Sequence, residues 1–205
     1  MRKLVFAAAA ASVGAALATP ALAQSQQAPF SGPRVEALVG WDHLRDGSDG
    51  STDGRDGFTY GGAIGYDARV GGNVVLGVDG EITGSTTKAR TSDLIQTGDN
   101  LRIRAGRDIY LGARAGYVIS PRAMVYVKGG YTNARINARY YDGVSTTVEE
   151  GRNMDGYRVG AGLEYNLTPS TYIKGEYRYS HYGKFDGYDA DIDRHQLLAG
   201  VGVRF

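Results

Sequence analysis

The chain has 205 residues, a formal net charge of +1, 31 glycines, 15 tyrosines and no cysteine, with a mean hydropathy of −0.31. After the N-terminal segment no stretch is apolar over the roughly 20 residues that a membrane-spanning helix needs, which excludes a helical membrane protein. The near-neutral charge gives no electrostatic basis for a nucleic-acid partner, and an exported chain without disulfides must draw its stability from a large core, a metal or a membrane.

The first element in chain order reads as an export leader. Arg2 and Lys3 form a positive start, residues 4–18 form an alanine-rich apolar run, and Ala21-Leu22-Ala23 supplies the small-x-small pattern of a cleavage site. The expected division is therefore a cleaved signal peptide over 1–23, a short lead-in over 24–32 and a single domain over 33–205. Removal of Arg2 and Lys3 brings the mature chain from +1 to −1.

The rest of the chain repeats one pattern. Segment 34–43 sets Val35, Ala37, Val39 and Trp41 against Arg34, Glu36 and Asp42, and 58–69 sets Phe58, Tyr60, Ile64 and Tyr66 against Thr59, Ala63, Asp67 and Arg69. Segment 74–85 opposes Val74, Leu76, Val78 and Ile82 to Asp79, Glu81 and Thr83, and 108–119 opposes Ile109, Leu111, Ala113, Ala115 and Tyr117 to Asp108, Tyr110 and Arg114. The second half continues with Val125, Val127 and Tyr131 against Tyr126, Lys128 and Thr132 in 124–133. In 156–167, Tyr157, Val159, Ala161, Leu163 and Tyr165 stand against Arg158 and Glu164. Ile173, Tyr177 and Tyr179 oppose Lys174, Glu176 and Arg178 in 171–181, and Leu197, Ala199, Val201, Val203 and Phe205 oppose Arg194, Gln196 and Arg204 in 194–205. A period of two in segments that are only moderately apolar is the signature of strands with one face on lipid and one on a polar lumen.

The links decide between a membrane barrel and a soluble sandwich, which would also alternate. Links 70–73, 120–123 and 168–170 are short and built of turn residues, whereas 44–57, 86–107, 134–155 and 182–193 are long and rich in Asp, Gly, Arg and Ser. Strict alternation of short and long places all tight turns at one end and all long loops at the other, as in outer-membrane barrels. The expected fold is all-β: an eight-stranded antiparallel up-and-down transmembrane β-barrel with periplasmic termini and four long external loops. Glycines inside the strands, such as Gly112, Gly116, Gly160 and Gly162, suit the bending and narrow interior of a small barrel.

The C-terminal segment Leu197-Leu198-Ala199-Gly200-Val201-Gly202-Val203-Arg204-Phe205 is an alternating strand ending on an aromatic residue. It resembles the β-signal read by the outer-membrane assembly machinery, with Phe205 as the signal residue. With Leu76-Gly77-Val78-Asp79-Gly80-Glu81, Tyr157-Arg158-Val159-Gly160-Ala161-Gly162-Leu163-Glu164-Tyr165 and Ile173-Lys174-Gly175-Glu176-Tyr177-Arg178-Tyr179, the chain resembles the outer-membrane β-barrel domain family. These are the opacity-like, alphaproteobacterial surface-antigen and porin-family proteins, related in fold to outer membrane proteins A and X. The resemblance implies an integral protein of the cell outer membrane with a structural or surface-interaction role in envelope integrity, adhesion or antigenicity. Its implied partners are outer-membrane lipid and lipopolysaccharide, the assembly machinery, and a host or cell-surface ligand at the external loops. A narrow porin-like channel for small solutes is the alternative, and a lipid-modifying barrel enzyme the third reading.

The lumen-side faces carry Arg34, Glu36, Asp67, Arg69, Asp79, Glu81, Arg114, Lys128, Arg158, Glu164, Lys174, Glu176, Arg178 and Arg204. Both signs occur in similar numbers, so a cross-lumen ionic network is expected, because confined charges are costly unless paired. In the second and third long loops, Arg90, Arg102, Arg104, Arg135, Arg139 and Arg152 are candidate contacts for lipopolysaccharide phosphates, since guanidinium groups match phosphate oxygens. The aspartates of 46–57 lack the spacing and closing Glu of a calcium loop, and Arg194 stands where Asp189-Ala190-Asp191-Ile192-Asp193 would need its turn glycine. His43, His181 and His195 fall near outer strand ends on the lipid face, without a local nucleophile and orienting carboxylate. No catalytic residue, metal or cofactor is therefore assigned.

Overall fold

The computed structural model describes residues 29–46, 55–86, 88–92, 100–141, 147–183 and 192–205. The expected leader over 1–23 and the first part of the lead-in lie outside these residues. The strands are β1 (Gly32–Asp46), β2 (Arg55–Arg69), β3 (Val74–Ser85), β4 (Lys88–Ser92), β5 (Asn100–Ser120), β6 (Ala123–Tyr141), β7 (Thr147–Asn166), β8 (Thr171–Tyr182) and β9 (Ile192–Arg204). All neighbouring pairs are antiparallel, β1 pairs β9, and β3 pairs β5, which closes the sheet. Because β4 continues the ladder of β3 along β5, the closed barrel has eight staves, the third of them formed by β3 and β4 in turn.

Closure removes the free edges that would otherwise recruit other chains or leave backbone groups unpaired in lipid. Three tight turns, around 70–73, 121–122 and 167–170, lie at one end of the barrel with Pro29 and Phe205, here called the turn end. Gly71 and Gly72 take positive φ (72° and 39°) in the first of these turns, a conformation glycine adopts without steric penalty.

The outer face is apolar and the inner face is charged, the reverse of a water-soluble protein. Val39, Ile64, Val78, Leu111, Val127 and Leu197 are 58 to 67% exposed on the outside. Arg34, Arg158, Arg178, Glu164 and Glu176 are at most 2% exposed within. An apolar surface of this extent in water would drive association, and in a bilayer it is the lipid-facing band. Aromatic residues border the band. Trp41 opposes Phe58 near the far end, where Tyr157 opposes Tyr131, while Tyr66, Tyr117, Tyr165 and Phe205 stand near the turn end.

Two features differ from the expectation. Residues expected in the long links 86–107 and 134–155 instead extend the ladder: Asn100 pairs Tyr141, and Tyr141 pairs Thr147. The alternation continues through Arg135-Ile136-Asn137-Ala138-Arg139-Tyr140, but with so many polar residues that hydropathy gives no strand signal. Backbone pairing with the neighbouring strand, rather than lipid burial, holds these extensions. The second feature is Phe30, in the lead-in at φ 67°, which is 1% exposed and packs with Val75, Val118, Met124 and Tyr126. Its ring, with the Arg204 guanidinium 5.7 Å from the centroid, covers the turn end of the interior. Burying a phenylalanine there, worth roughly 1.5–3 kcal/mol, offsets the unfavourable left-handed backbone.

Candidate functional site

Even spacing along each strand sends one side chain in two into the barrel, and closure makes side chains from opposite staves meet. The charged ones gather in three tiers. At the turn end Asp67 accepts from Arg34 Nε at 3.0 Å, Arg114 Nε at 2.8 Å and Arg204 Nη2 at 3.0 Å. Glu164 accepts from Arg204 at 2.8 Å and Arg114 at 3.2 Å, and Arg34 also contacts Glu36 and Asp79.

In the middle tier Lys174 Nζ lies 2.5 Å from Glu36 and 3.3 Å from Glu176, and Arg178 bridges Glu176 and Glu81 with bonds of 2.8 and 2.9 Å. Lys128 joins the same two carboxylates, 2.9 Å from Glu176 and in contact with Glu81. At the far end Arg158 donates to Asp108 at 2.5 Å and to Ser180 Oγ at 2.8 Å. Arg194 holds Asp42 through two parallel bonds of 2.7 Å and reaches Asp108 at 2.7 Å. Parallel donation of this kind is the strong geometry of an arginine–carboxylate pair.

Tyrosines complete the network. Tyr126 donates to Glu176 at 2.6 Å, Tyr172 to Glu36 at 2.7 Å and Tyr182 to Asp108 at 2.9 Å, and Lys128 Nζ sits 4.8 Å from the Tyr110 centroid. Room for these groups comes from inward glycines. A Cβ on Gly112 would collide with the Tyr110 hydroxyl, and one on Gly77 would collide with Asp67 Oδ1. Among the described residues the buried charges are eight cations and eight carboxylates, none more than 6% exposed, so the interior is neutral as well as paired. Neutrality matters because each unpaired charge in a low-dielectric interior costs several kcal/mol.

Thirteen of the fourteen residues expected in the lumen lie in these tiers. Arg69 does not. At the last position of β2 it is below the barrel floor, and its Nε donates to the Gly72 carbonyl at 2.7 Å across the turn. Asp42, Asp108, Arg194, Tyr110 and Tyr126, which alternation sets on the charged faces but the expected ionic network leaves out, also belong to the interior, with Tyr172 and Tyr182. The available signal was their parity with Glu36, Arg114 and Gln196, and their position at strand ends or their aromatic character obscured it.

The candidate phosphate contacts also divide. Arg135 is exposed, and Asn137 and Arg139 follow it at the two-residue spacing of one sheet face. The ladder pairs Arg139 with Arg102 and Arg102 with Arg90, and pairs Asn137 with Arg104 and Arg104 with Lys88. Five of the six arginines thus occupy, with Lys88, adjoining register positions of β4, β5 and β6. Arg152 departs from this group, on β7 as the register partner of Ile136. Most of the aspartate-rich link 46–57 lies outside the described residues, as do Asp189 and Asp191. Asp193 is engaged by Tyr179 and His181. Phe205 follows β9 and donates its backbone N–H to the Pro33 carbonyl at 2.9 Å.

Comparison with known proteins agrees with this architecture. The 31 kDa outer-membrane immunogenic protein of Brucella melitensis biotype 1 is 26% identical over 163 residues, covering 73% of this chain and 67% of that protein. Among solved structures, Neisserial surface protein A superimposes with a TM-score of 0.57 at 20% identity, over 85% of this chain and 98% of that one. Ail, the attachment invasion locus protein of Yersinia pestis, gives 0.54 at 16% identity, over 86% of this chain and all of the other. Residues 6–205 match the outer membrane protein beta-barrel domain family. An inside-out closed barrel with a neutral ionic interior and an apolar belt, matched over nearly its whole length, makes this chain an outer-membrane protein that belongs to the outer membrane protein beta-barrel domain family.

Proposed function

We propose that the barrel is a sealed, non-catalytic anchor whose far end faces outward and presents polar strand extensions to ligands at the cell surface. The observation that carries this reading is the neutral interior of eight cations and eight carboxylates in interlocked tiers, which leaves each charge held by partners from other staves. The name of the Brucella relative, an outer-membrane immunogenic protein, supports an outward-facing role. Reconstituted protein in planar bilayers is expected to give no steady open level. A reproducible ohmic conductance would replace the anchor with the narrow solute channel.

The cations clustered on β4, β5 and β6 favour lipopolysaccharide as one partner. Lys88, Arg90, Arg102, Arg104, Arg135 and Arg139 occupy neighbouring positions on strands spaced about 4.8 Å apart, a density suited to the clustered phosphates of that lipid. Replacing Arg90, Arg102, Arg104, Arg135 and Arg139 with Gln is expected to lower lipopolysaccharide co-purification about tenfold or more, given about 1 kcal/mol per surface cation near anionic lipid. Arg152→Gln, on β7 outside this block, is expected to leave it unchanged. Equal losses in the two variants would remove the assignment. Phe205, at the end of the closing strand, is read as the signal for the assembly machinery.

A further inference from the structure

At the turn end the outer face stays apolar up to the turns themselves. Beyond Tyr66, Tyr117 and Tyr165 the outward positions end on Val70, Ile119 and Leu167, which are 47 to 55% exposed. The lipid-facing belt therefore has no polar margin here, and the three turns stand at the level of the headgroups.

Two clefts open at this level, with Pro29 lining both. The first, about 330 Å³, lies between the β2–β3 and β5–β6 turns and is lined by Arg69, Asn73, Ile119, Ser120 and Pro121. The second, about 290 Å³, lies between the β5–β6 and β7–β8 turns and is lined by Arg122, Asn166, Leu167, Thr168 and Pro169. Each cleft thus combines an arginine, an asparagine, a hydroxyl and an apolar residue of the belt. The polar groups have hydrogen bonds left to give. Arg69 Nε donates to the Gly72 carbonyl at 2.7 Å, which fixes the guanidinium and leaves both Nη groups without a partner among the described residues. Ser120 Oγ accepts from the backbone N–H of Arg122 at 3.3 Å and Ala123 at 3.0 Å, and Thr168 Oγ1 from those of Ser170 at 3.3 Å and Thr171 at 2.9 Å. With both lone pairs engaged, each hydroxyl keeps its proton for a further acceptor. Asn166 is 9% exposed, yet its side-chain amide has no partner among the described residues.

The charge of this end has one sign. Asp67 and Glu164 are fully buried and Arg34 and Arg204 at most 6% exposed. Among the described residues the charged side chains left at the surface of the turn end are therefore Arg69 and Arg122. Phe205, which carries the terminal carboxylate, bonds to Pro33 of β1, outside the arc of the two clefts.

We propose that the two clefts bind the phosphodiester headgroups of anionic phospholipids whose acyl chains lie on the belt beside Ile119 and Leu167. The proposal rests on the reading that the far end faces outward, which turns the clefts toward the inner leaflet. A guanidinium meets two phosphate oxygens at once, and the hydroxyl and amide supply further donors. The occupant is a lipid because each cleft is continuous with the belt through an exposed apolar residue. Lead-in residues 24–28, which precede Pro29, carry no acidic side chain and offer the arginines no counter-charge.

The full mature protein is equilibrated in neutral detergent with equal amounts of phosphatidylglycerol and phosphatidylcholine, and the bound lipids are counted by native mass spectrometry. Wild type is expected to prefer phosphatidylglycerol, and the preference to fall about fivefold for each arginine lost in R69Q, R122Q and R69Q/R122Q. The Arg122 side chain has no partner among the described residues, so R122Q tests its cleft without disturbing the fold. R90Q/R102Q/R104Q/R135Q/R139Q is expected to lose none of the preference that R69Q/R122Q removes. Equal preference in wild type and R69Q/R122Q would overturn the proposal, as would displacement of the lipid by excess inorganic phosphate, the mark of a free-anion site. Binding that appears only after deletion of residues 24–28 would assign the clefts to the lead-in instead. A conducting lumen, or an inverted orientation in cells, would refute the outward-facing anchor while leaving this count intact, so the two readings fail separately.

Discussion

Replacing Asp67 with leucine is expected to destabilise the barrel by about 3–5 kcal/mol, because it leaves buried guanidinium groups without their shared carboxylate. Arg34, Arg114 and Arg204 come from β1, β5 and β9, and all three donate to Asp67 on β2, so one side chain ties four staves together at the turn end. Leucine supplies similar volume but no acceptor, and the three arginines are at most 6% exposed, beyond the reach of compensating water. Denaturant unfolding in detergent micelles, read by tryptophan fluorescence and by heat-modified mobility in gels, measures the loss. Asp155→Asn changes an exposed carboxylate held by Tyr131 and Asn133 and serves as a control expected to unfold like wild type. Equal stability of Asp67→Leu and wild type would mean that the tiers are ornamental to folding.

Val127→Arg is expected to cost about 2–4 kcal/mol on folding into lipid vesicles, and Phe58→Arg only about 0–1 kcal/mol. The difference is one of depth. Along β6, Val127 lies midway between Tyr131 in the far aromatic ring and Ala123, the register partner of Tyr165 in the turn-end ring. Its partner Ala161 is likewise midway between Tyr157 and Tyr165 on β7, so two adjacent strands place the band centre at the same row. Phe58 pairs with Trp41 at the far rim, where a guanidinium can reach headgroups and water. Titrating denaturant against vesicle-folded protein gives both values. A soluble barrel would be indifferent to arginine at Val127, which is 59% exposed, and equal costs at the two positions would contradict a bilayer around this belt.

The stave extensions and the arginine block lie at the same end, above the belt, and this has a physical cause. Inside the bilayer a strand must present apolar residues outward, so its chemistry is confined to the lumen. Once the strand clears the lipid, the outward face is free to carry charge. On β6 this change falls between Tyr131 and Arg135: Val125, Val127 and Tyr131 face out below it, whereas Asn133 and exposed Arg135 occupy the same face above. Surface chemistry on such a scaffold belongs where the ladder outlives the membrane.

Alternation is a local property, and by itself the sequence determined which face of each strand is charged, where the three tight turns fall and how many staves span the membrane. The inward set from Glu36 to Arg204 could therefore be read from residue spacing alone. Which carboxylate meets which guanidinium could not, because Arg194 and Asp42 lie 152 residues apart and Arg204 and Asp67 137 apart. Their meeting depends on the stagger with which β1 closes against β9 and β3 against β5. Only that closure excluded Arg69 from the interior and joined Asp42, Asp108 and Arg194 into one tier. Backbone pairing beyond the lipid carries no hydropathy signal, so only the tertiary structure extended β5, β6 and β7 and brought the arginines other than Arg152 to adjoining register positions. Phe30 follows the same rule: nothing in its neighbours marks it for burial, and it is buried because the closed barrel leaves an apolar hollow at the turn end, between Val75, Val118 and Met124, that one ring fills.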